Sequence, residues 1–248
     1  RLAKPKDPVK TYTVEQLLTW VRGKNARDWR ISWFEAQLAF AQGDLSRAQG
    51  ICEGIAQEIP GEIAPKLALG VVQEKLGNLD EALRYYDLVS TVSPSYTGAA
   101  FGLGRVLAAR HDRAGAVKAY LRVPATSNRY LAALTDLVRV ILDPAVAPVG
   151  KDEILQAADV LGRMRVDDTL LEPHQIAANL CCTAAELVEK GSVRFSNGET
   201  FLGTRGAPRE LRRRAETEFR SCARIANDQA ARVAFVDQAN AVRPRTLF

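Results

Sequence analysis

Two histidines, four cysteines, a glycine pair, an aspartate pair and one cluster of arginines are the residues of this chain whose types could do chemistry. His111 and His174 could serve as bases or metal ligands, but neither has a cysteine or carboxylate at triad or ligand spacing. Cys52, Cys181, Cys182 and Cys222 form no C-x-x-C pair, and adjacent cysteines point to different sides of a helix. That disfavours both a zinc site and a disulfide framework, and suits small buried thiols in a reducing compartment. GLGRVL at 102–107 begins like a phosphate loop, but Leu107 stands at the last glycine position and the stretch reads as helix. A phosphotransfer centre would also need a strand lysine, H-R-D and D-F-G, and none is present. Asp167-Asp168 precedes a helical segment and reads as an N-cap. No catalytic residue, cofactor site or metal site is expected.

Arg205, Arg209, Arg212, Arg213 and Arg214 make the one concentrated basic run. It reads either as a solvated helix face paired with Glu210, Glu216 and Glu218, or as a contact for an acidic partner through Arg209, Arg212 and Arg213. Nucleic acid is disfavoured, because no aromatic residues interleave with the arginines. Lys and Arg exceed Asp and Glu by 34 to 29, a net charge of +5, too diffuse to demand a polyanion. No apolar run reaches the length of a spanning helix, so direct membrane insertion is not expected. The N-terminus lacks both an initiator methionine and the apolar core of a signal peptide, which suggests a segment of a longer protein or a processed product, in the cytoplasm.

The elements that carry these residues follow from an internal period. Ala48, Ala82 and Ala116 lie 34 residues apart, as do Ala36, Gly70 and Gly104, and Cys52, Tyr86 and Tyr120. Pro60 and Pro94 keep the same spacing, and Gly43-Asp44, Gly77-Asn78 and His111-Asp112 fall at matching turns. Over residues 29–124 the chain resembles the tetratricopeptide repeat (TPR), a helix-turn-helix unit of that period. In the middle repeat, 63–76 is one helix and 79–92 its partner, with Gly77 ending the first. Leu79, Ala82, Leu83 and Tyr86 share one apolar face. Gly70 costs roughly 1 kcal/mol of helix propensity; in return it lets the helices cross closely, with Ala82 opposite and Tyr86 filling the wedge. Single repeats cannot bury their apolar faces, so they stack into a solenoid. The resemblance implies a concave groove lined by Trp33, Gln37, Phe40 and Ala41, by Leu67, Val71, Glu74 and Lys75, and by Phe101, Arg105, Ala108 and Ala109. That groove is apolar and aromatic, with Glu74, Lys75 and Arg105 as polar guides. It lacks the lysine and asparagine set of repeats that clamp a C-terminal carboxylate. It is either open to a partner or covered by the chain's own further helices.

The expected fold class is therefore all-α, a solenoid of about three repeats with additional C-terminal helices. Residues 1–28 form a linker and a capping helix opened by Thr13, 29–125 the repeats, and 126–248 a helical extension packed on the solenoid. Within that extension helices are expected at 128–142, 152–164, 173–190, 208–225 and 229–241, and the glycine-rich stretch 191–208 reads as loop without strands. GEIAPKLALG, AAFGLGRV, VPATSNRY and above all VDQANAVRPRTLF make residues 25–248 similar to the C-terminal tetratricopeptide region of the actinobacterial serine/threonine protein kinase G family. In that family a rubredoxin-like domain and a kinase domain precede this region, and neither is in this sequence. The resemblance implies a non-catalytic domain that binds proteins: its own kinase domain, a substrate or an upstream regulator. A homodimer is a further implied partner, and the parent enzyme would be an ATP-dependent serine/threonine kinase. A freestanding adaptor that binds a peptide or helix in the groove is the alternative.

Overall fold

A computed structural model describes residues 13–25, 27–164, 169–196 and 199–244. Residues 1–12 of the expected linker, Asp167-Asp168 and the final RTLF lie outside the described residues. The chain divides into two compact units, 1–102 and 103–248. Among the described residues no helix is long and apolar enough to cross a membrane.

The first unit is a succession of antiparallel helices: α1 (Val14–Lys24), α2 (Trp29–Ala41), α3 (Leu45–Glu58), α4 (Ala64–Leu76), α5 (Leu79–Val92) and the start of α6 (Thr97–Ala109), which continues into the second unit. From α1 to α5 each helix packs on the next. Local chemistry sets the ends. Thr13 and Gln16 form a reciprocal capping box on α1, and the Asp28 and Asp44 carboxylates accept from the first turns of α2 and α3. Gly43 and Gly77 turn the chain out of α2 and α4 at φ of 82° and 80°, a conformation that glycine adopts without strain. α1, the helix expected after Thr13, buries none of its residues; Trp20 is 62% exposed.

The packing in this unit centres on Tyr86, which is completely buried. A Cβ placed on Gly70 of α4 would lie 2.9 Å from its ring, and one on Gly102 of α6 only 2.4 Å away. The ring is held between two stretches of bare backbone. In the second unit Tyr120 packs on Gly104 in the same way, at 2.5 Å. Both glycines of GLGRVL are thus accounted for by tyrosine rings rather than by phosphate.

The second unit continues with α7 (Arg113–Tyr120), α8 (Tyr130–Leu142), α9 (Lys151–Met164), α10 (Leu171–Glu189), α11 (Pro208–Ile225) and α12 (Gln229–Val242), each from α7 onward packed on the next. His111 occupies the left-handed turn that glycine holds in the earlier repeats, at φ 62°, and its Nδ1 donates to the Ala145 carbonyl at 2.9 Å. The Arg113 guanidinium donates to the carbonyls of Val140, Asp143, Ala147 and Pro148 and lies 3.5 Å from Glu153, so one side chain holds down the proline-rich connector. Between α10 and α11 the stretch expected as loop contains a small antiparallel hairpin, β1 (Thr200–Phe201) and β2 (Thr204–Arg205). Two residues per strand are too few to show alternation. Leu202 and Gly203 make its turn at positive φ, and Phe201 is buried beside Phe195.

Gly102→Ala should destabilise the chain by about 1–3 kcal/mol through overpacking against Tyr86. Gly70→Leu should cost several kcal/mol on the same argument. Gly50→Ala, where a Cβ meets nothing within 4 Å, should be neutral or stabilising by up to ~1 kcal/mol. Urea denaturation of the three variants measures this, and equal midpoints for Gly102→Ala and Gly50→Ala would contradict the packing account.

Candidate partner-binding groove

Helical spacing puts Trp33, Gln37 and Phe40 on one face of α2, and Leu67, Val71, Glu74 and Lys75 on one face of α4. Four of these, Trp33, Gln37, Phe40 and Val71, come together around a cavity of about 200 Å³. Ala36, Ala48, Cys52, Ala68 and Val72 complete its lining. No charged residue lines it. Trp33, Phe40 and Val71 are half-buried and Gln37 is exposed, so aromatic and aliphatic surface faces an opening with one amide at its edge. Burial, with a smaller effect from neighbouring Glu53, pushes the Cys52 thiol up to about 11. It is protonated near neutral pH and contributes shape rather than reactivity.

The remaining expected groove residues have different environments. Lys75 is exposed, and half-buried Leu67 reaches toward the start of α6, 3.9 Å from where a Gly98 Cβ would lie. Glu74, expected as a polar guide, accepts a hydrogen bond from the Tyr86 hydroxyl at 2.6 Å. A tyrosine buried this deeply requires an acceptor, and Glu74 supplies it. Phe101 is a core residue rather than a groove wall, 5% exposed, because α6 is apolar on nearly every side and Ala99, Ala100, Leu103 and Val106 are buried with it. Arg105 is exposed and belongs to the second unit.

The small residues of the cavity lining are absent from the expected groove. Their signal is in the 34-residue register, since Ala36, Cys52 and Ala68 fall at the positions of Gly70, Tyr86 and Gly102.

The arginine run divides by environment. Arg209 and Arg213 are exposed. Arg212 is engaged by Glu189 of α10, with its Nε and Nη2 donating at 2.9 and 2.7 Å in a two-pronged pair. Of the glutamates expected to pair with the run, Glu216 instead accepts from Arg220, and Glu210 accepts from the Arg205 backbone. Glu218 does pair with Arg214, at 2.5 Å, but it is not on a solvated face. It is 2% exposed and also contacts His174 Nδ1 at 2.6 Å, so a buried carboxylate is bracketed by two nitrogen donors. Among the described residues no group of His, Cys, Asp and Glu is arranged to hold a metal ion.

The chain has clear relatives. A family model described as the protein kinase G tetratricopeptide repeat matches residues 7–246. The serine/threonine-protein kinase PknG of Mycolicibacterium smegmatis is 31% identical over 221 residues, covering 89% of this chain and 28% of that protein. PknG of Mycobacterium leprae is 33% identical over 221 residues, covering 87% and 28%. The chain thus spans little more than a quarter of the length of these curated relatives. Among solved structures, YrrB, a TPR protein with an unusual peptide-binding site, superposes with a TM-score of 0.53 at 12% identity, over 88% of this chain and 96% of that one. At that identity the likeness is one of fold, an all-α tetratricopeptide solenoid.

Hydrogen bonding from Arg212 holds the Glu189 carboxyl below its usual range. A lowered carboxyl pKa adds stability above the unfolded value, and that stability is lost as pH falls through the folded value. The pair is partly exposed, so its contribution is under ~1 kcal/mol. Glu189→Gln should therefore be slightly less stable than the parent at pH 7, with the gap narrowing as pH falls through the lowered carboxyl range. Thermal melts across a series of acid pH values measure it, and a gap that widens in acid would contradict the assignment.

Proposed function

The chain belongs to the protein kinase G tetratricopeptide repeat family, and from that premise we propose that it is the interaction domain of a larger serine/threonine kinase. Its groove holds a protein segment: the kinase domain of the same polypeptide, a substrate or an upstream regulator. The domain has no catalytic centre of its own and works in the cytoplasm, orienting the enzyme and what the enzyme modifies. Phosphate transfer from ATP belongs to the rest of the protein.

The observation that carries this reading is the opening between Trp33, Phe40 and Val71. Half-buried aromatic and aliphatic side chains around an uncharged cavity form a surface that gains by covering apolar area. Aromatic anchors at the centre of such a surface typically dominate binding. Gln37 at the edge offers both a donor and an acceptor to a peptide backbone. The peptide-binding site named for the structurally similar YrrB supports a peptide as the form of the ligand.

The test is a calorimetric titration of this chain with the kinase region encoded by the same gene. Binding is expected, and Trp33→Ala should weaken it at least tenfold, a loss of about 1.4 kcal/mol or more. Trp33→Ala with unchanged affinity, in a variant of unchanged helix content, would remove the groove from the interaction. Sedimentation of the chain alone reads self-association in the same preparation.

A further inference from the structure

The cavity occupies the place where the next repeat keeps a tyrosine ring. One 34-residue step back carries Tyr86 onto Cys52, and the two glycines against its ring, Gly70 and Gly102, onto Ala36 and Ala68. All three shifted residues line the cavity of about 200 Å³. The replacements are linked by space. A Cβ at Gly70 or Gly102 would fall 2.9 or 2.4 Å from the Tyr86 ring, so a tyrosine at 52 could not sit against Ala36 and Ala68 without displacing them. Cysteine and two alanines fill less of the site than tyrosine and two glycines, and the difference is left open on the groove side, between Trp33 and Phe40.

A fourth replacement bears on polarity. Glu74, which accepts the Tyr86 hydroxyl, is replaced at the corresponding position by Phe40. The carboxylate that a phenol would need is thus an apolar ring here.

We propose that this cavity is a socket for an unsubstituted aromatic ring, a phenylalanine of the segment that lies in the groove. The proposal rests on the groove reading above and adds the side chain that the groove selects. An apolar cavity of about 150 Å³ is enough to take up benzene. The lining contributes dispersion contacts from several sides. A tyrosine entering the same socket would bury a hydroxyl away from any carboxylate, which costs affinity.

The test uses the side chains themselves as probes: toluene for phenylalanine and p-cresol for tyrosine, titrated into the ¹⁵N-labelled chain. Toluene is expected to shift the amides of Ala36, Cys52 and Ala68, with p-cresol weaker by about threefold or more. Ala36→Gly, Cys52→Tyr and Ala68→Gly together restore the internal ring, and toluene affinity should then fall at least about tenfold. Cys52→Leu, a smaller filler in the unaltered setting, should weaken toluene as well and keeps the test decisive if the triple variant folds poorly. Toluene shifts confined to other amides, p-cresol binding more tightly than toluene, or undiminished toluene affinity in both filled variants would overturn the socket. Titrating the filled variants with the kinase region separates this proposal from the one beneath it. Full, Trp33-dependent affinity would overturn the socket while the groove stands, and affinity reduced in step with toluene would support both.

Discussion

A tyrosine ring pressed against bare backbone is the contact on which the repeat geometry depends. Tyr86 lies between Gly70 and Gly102, so helices on both sides of α5 are positioned by one rigid side chain. The arrangement works because it is intolerant. A ring with no exposed surface and no room for a methyl group fixes the spacing of three helices more narrowly than a cluster of flexible aliphatics would. Its hydroxyl then needs an acceptor, and that requirement draws Glu74 inward and away from the groove. The loss of helix propensity at the glycines is offset by this packing.

Much of this was legible in the sequence because a period is visible without knowing any contact. The spacing of alanines, glycines and tyrosines places the helix pairs, the turn glycines and the close crossing at Gly70. It does not reveal where a side chain turns. Glu74 and Phe101 occupy groove positions by count, but one is claimed by a buried hydroxyl and the other by a helix that is apolar all round. Arg212 finds its carboxylate on a different helix, twenty-three residues away, beyond the reach of any rule about neighbours on one helix. The hairpin at Thr200–Arg205 is too short for alternation to register. The cavity shows the limit in its sharpest form: its residues stand in the register, but only as departures from it, and a departure reads as a weak repeat until the space it leaves is seen.

The second unit solves a different problem. The α8–α9 connector carries Pro144 and Pro148, which offer no N–H, so its carbonyls cannot all be satisfied by neighbouring backbone. Arg113 answers several of them at once, and His111 adds Ala145 from the adjoining turn. On α11 the buried carboxylate of Glu218 pairs with Arg214 of its own helix and meets His174 Nδ1 of α10, which ties α11 to α10 by a hydrogen bond as well as by apolar contact. Both devices use polar side chains where the repeat pattern no longer supplies a packing rule.

The replacements around Cys52 also impose an order on how such a site can change. Tyrosine to cysteine and glycine to alanine are each single-base changes in the genetic code, yet they are not interchangeable steps. While the ring is present, alanine at 36 or 68 is excluded by contact; once the ring is gone, alanine is admitted and strengthens its helix. A later return of tyrosine alone would then meet two methyl groups. A cavity lined with alanine is therefore guarded against refilling, since three residues rather than one would have to change for a ring to take the place that Tyr86 holds in the next repeat.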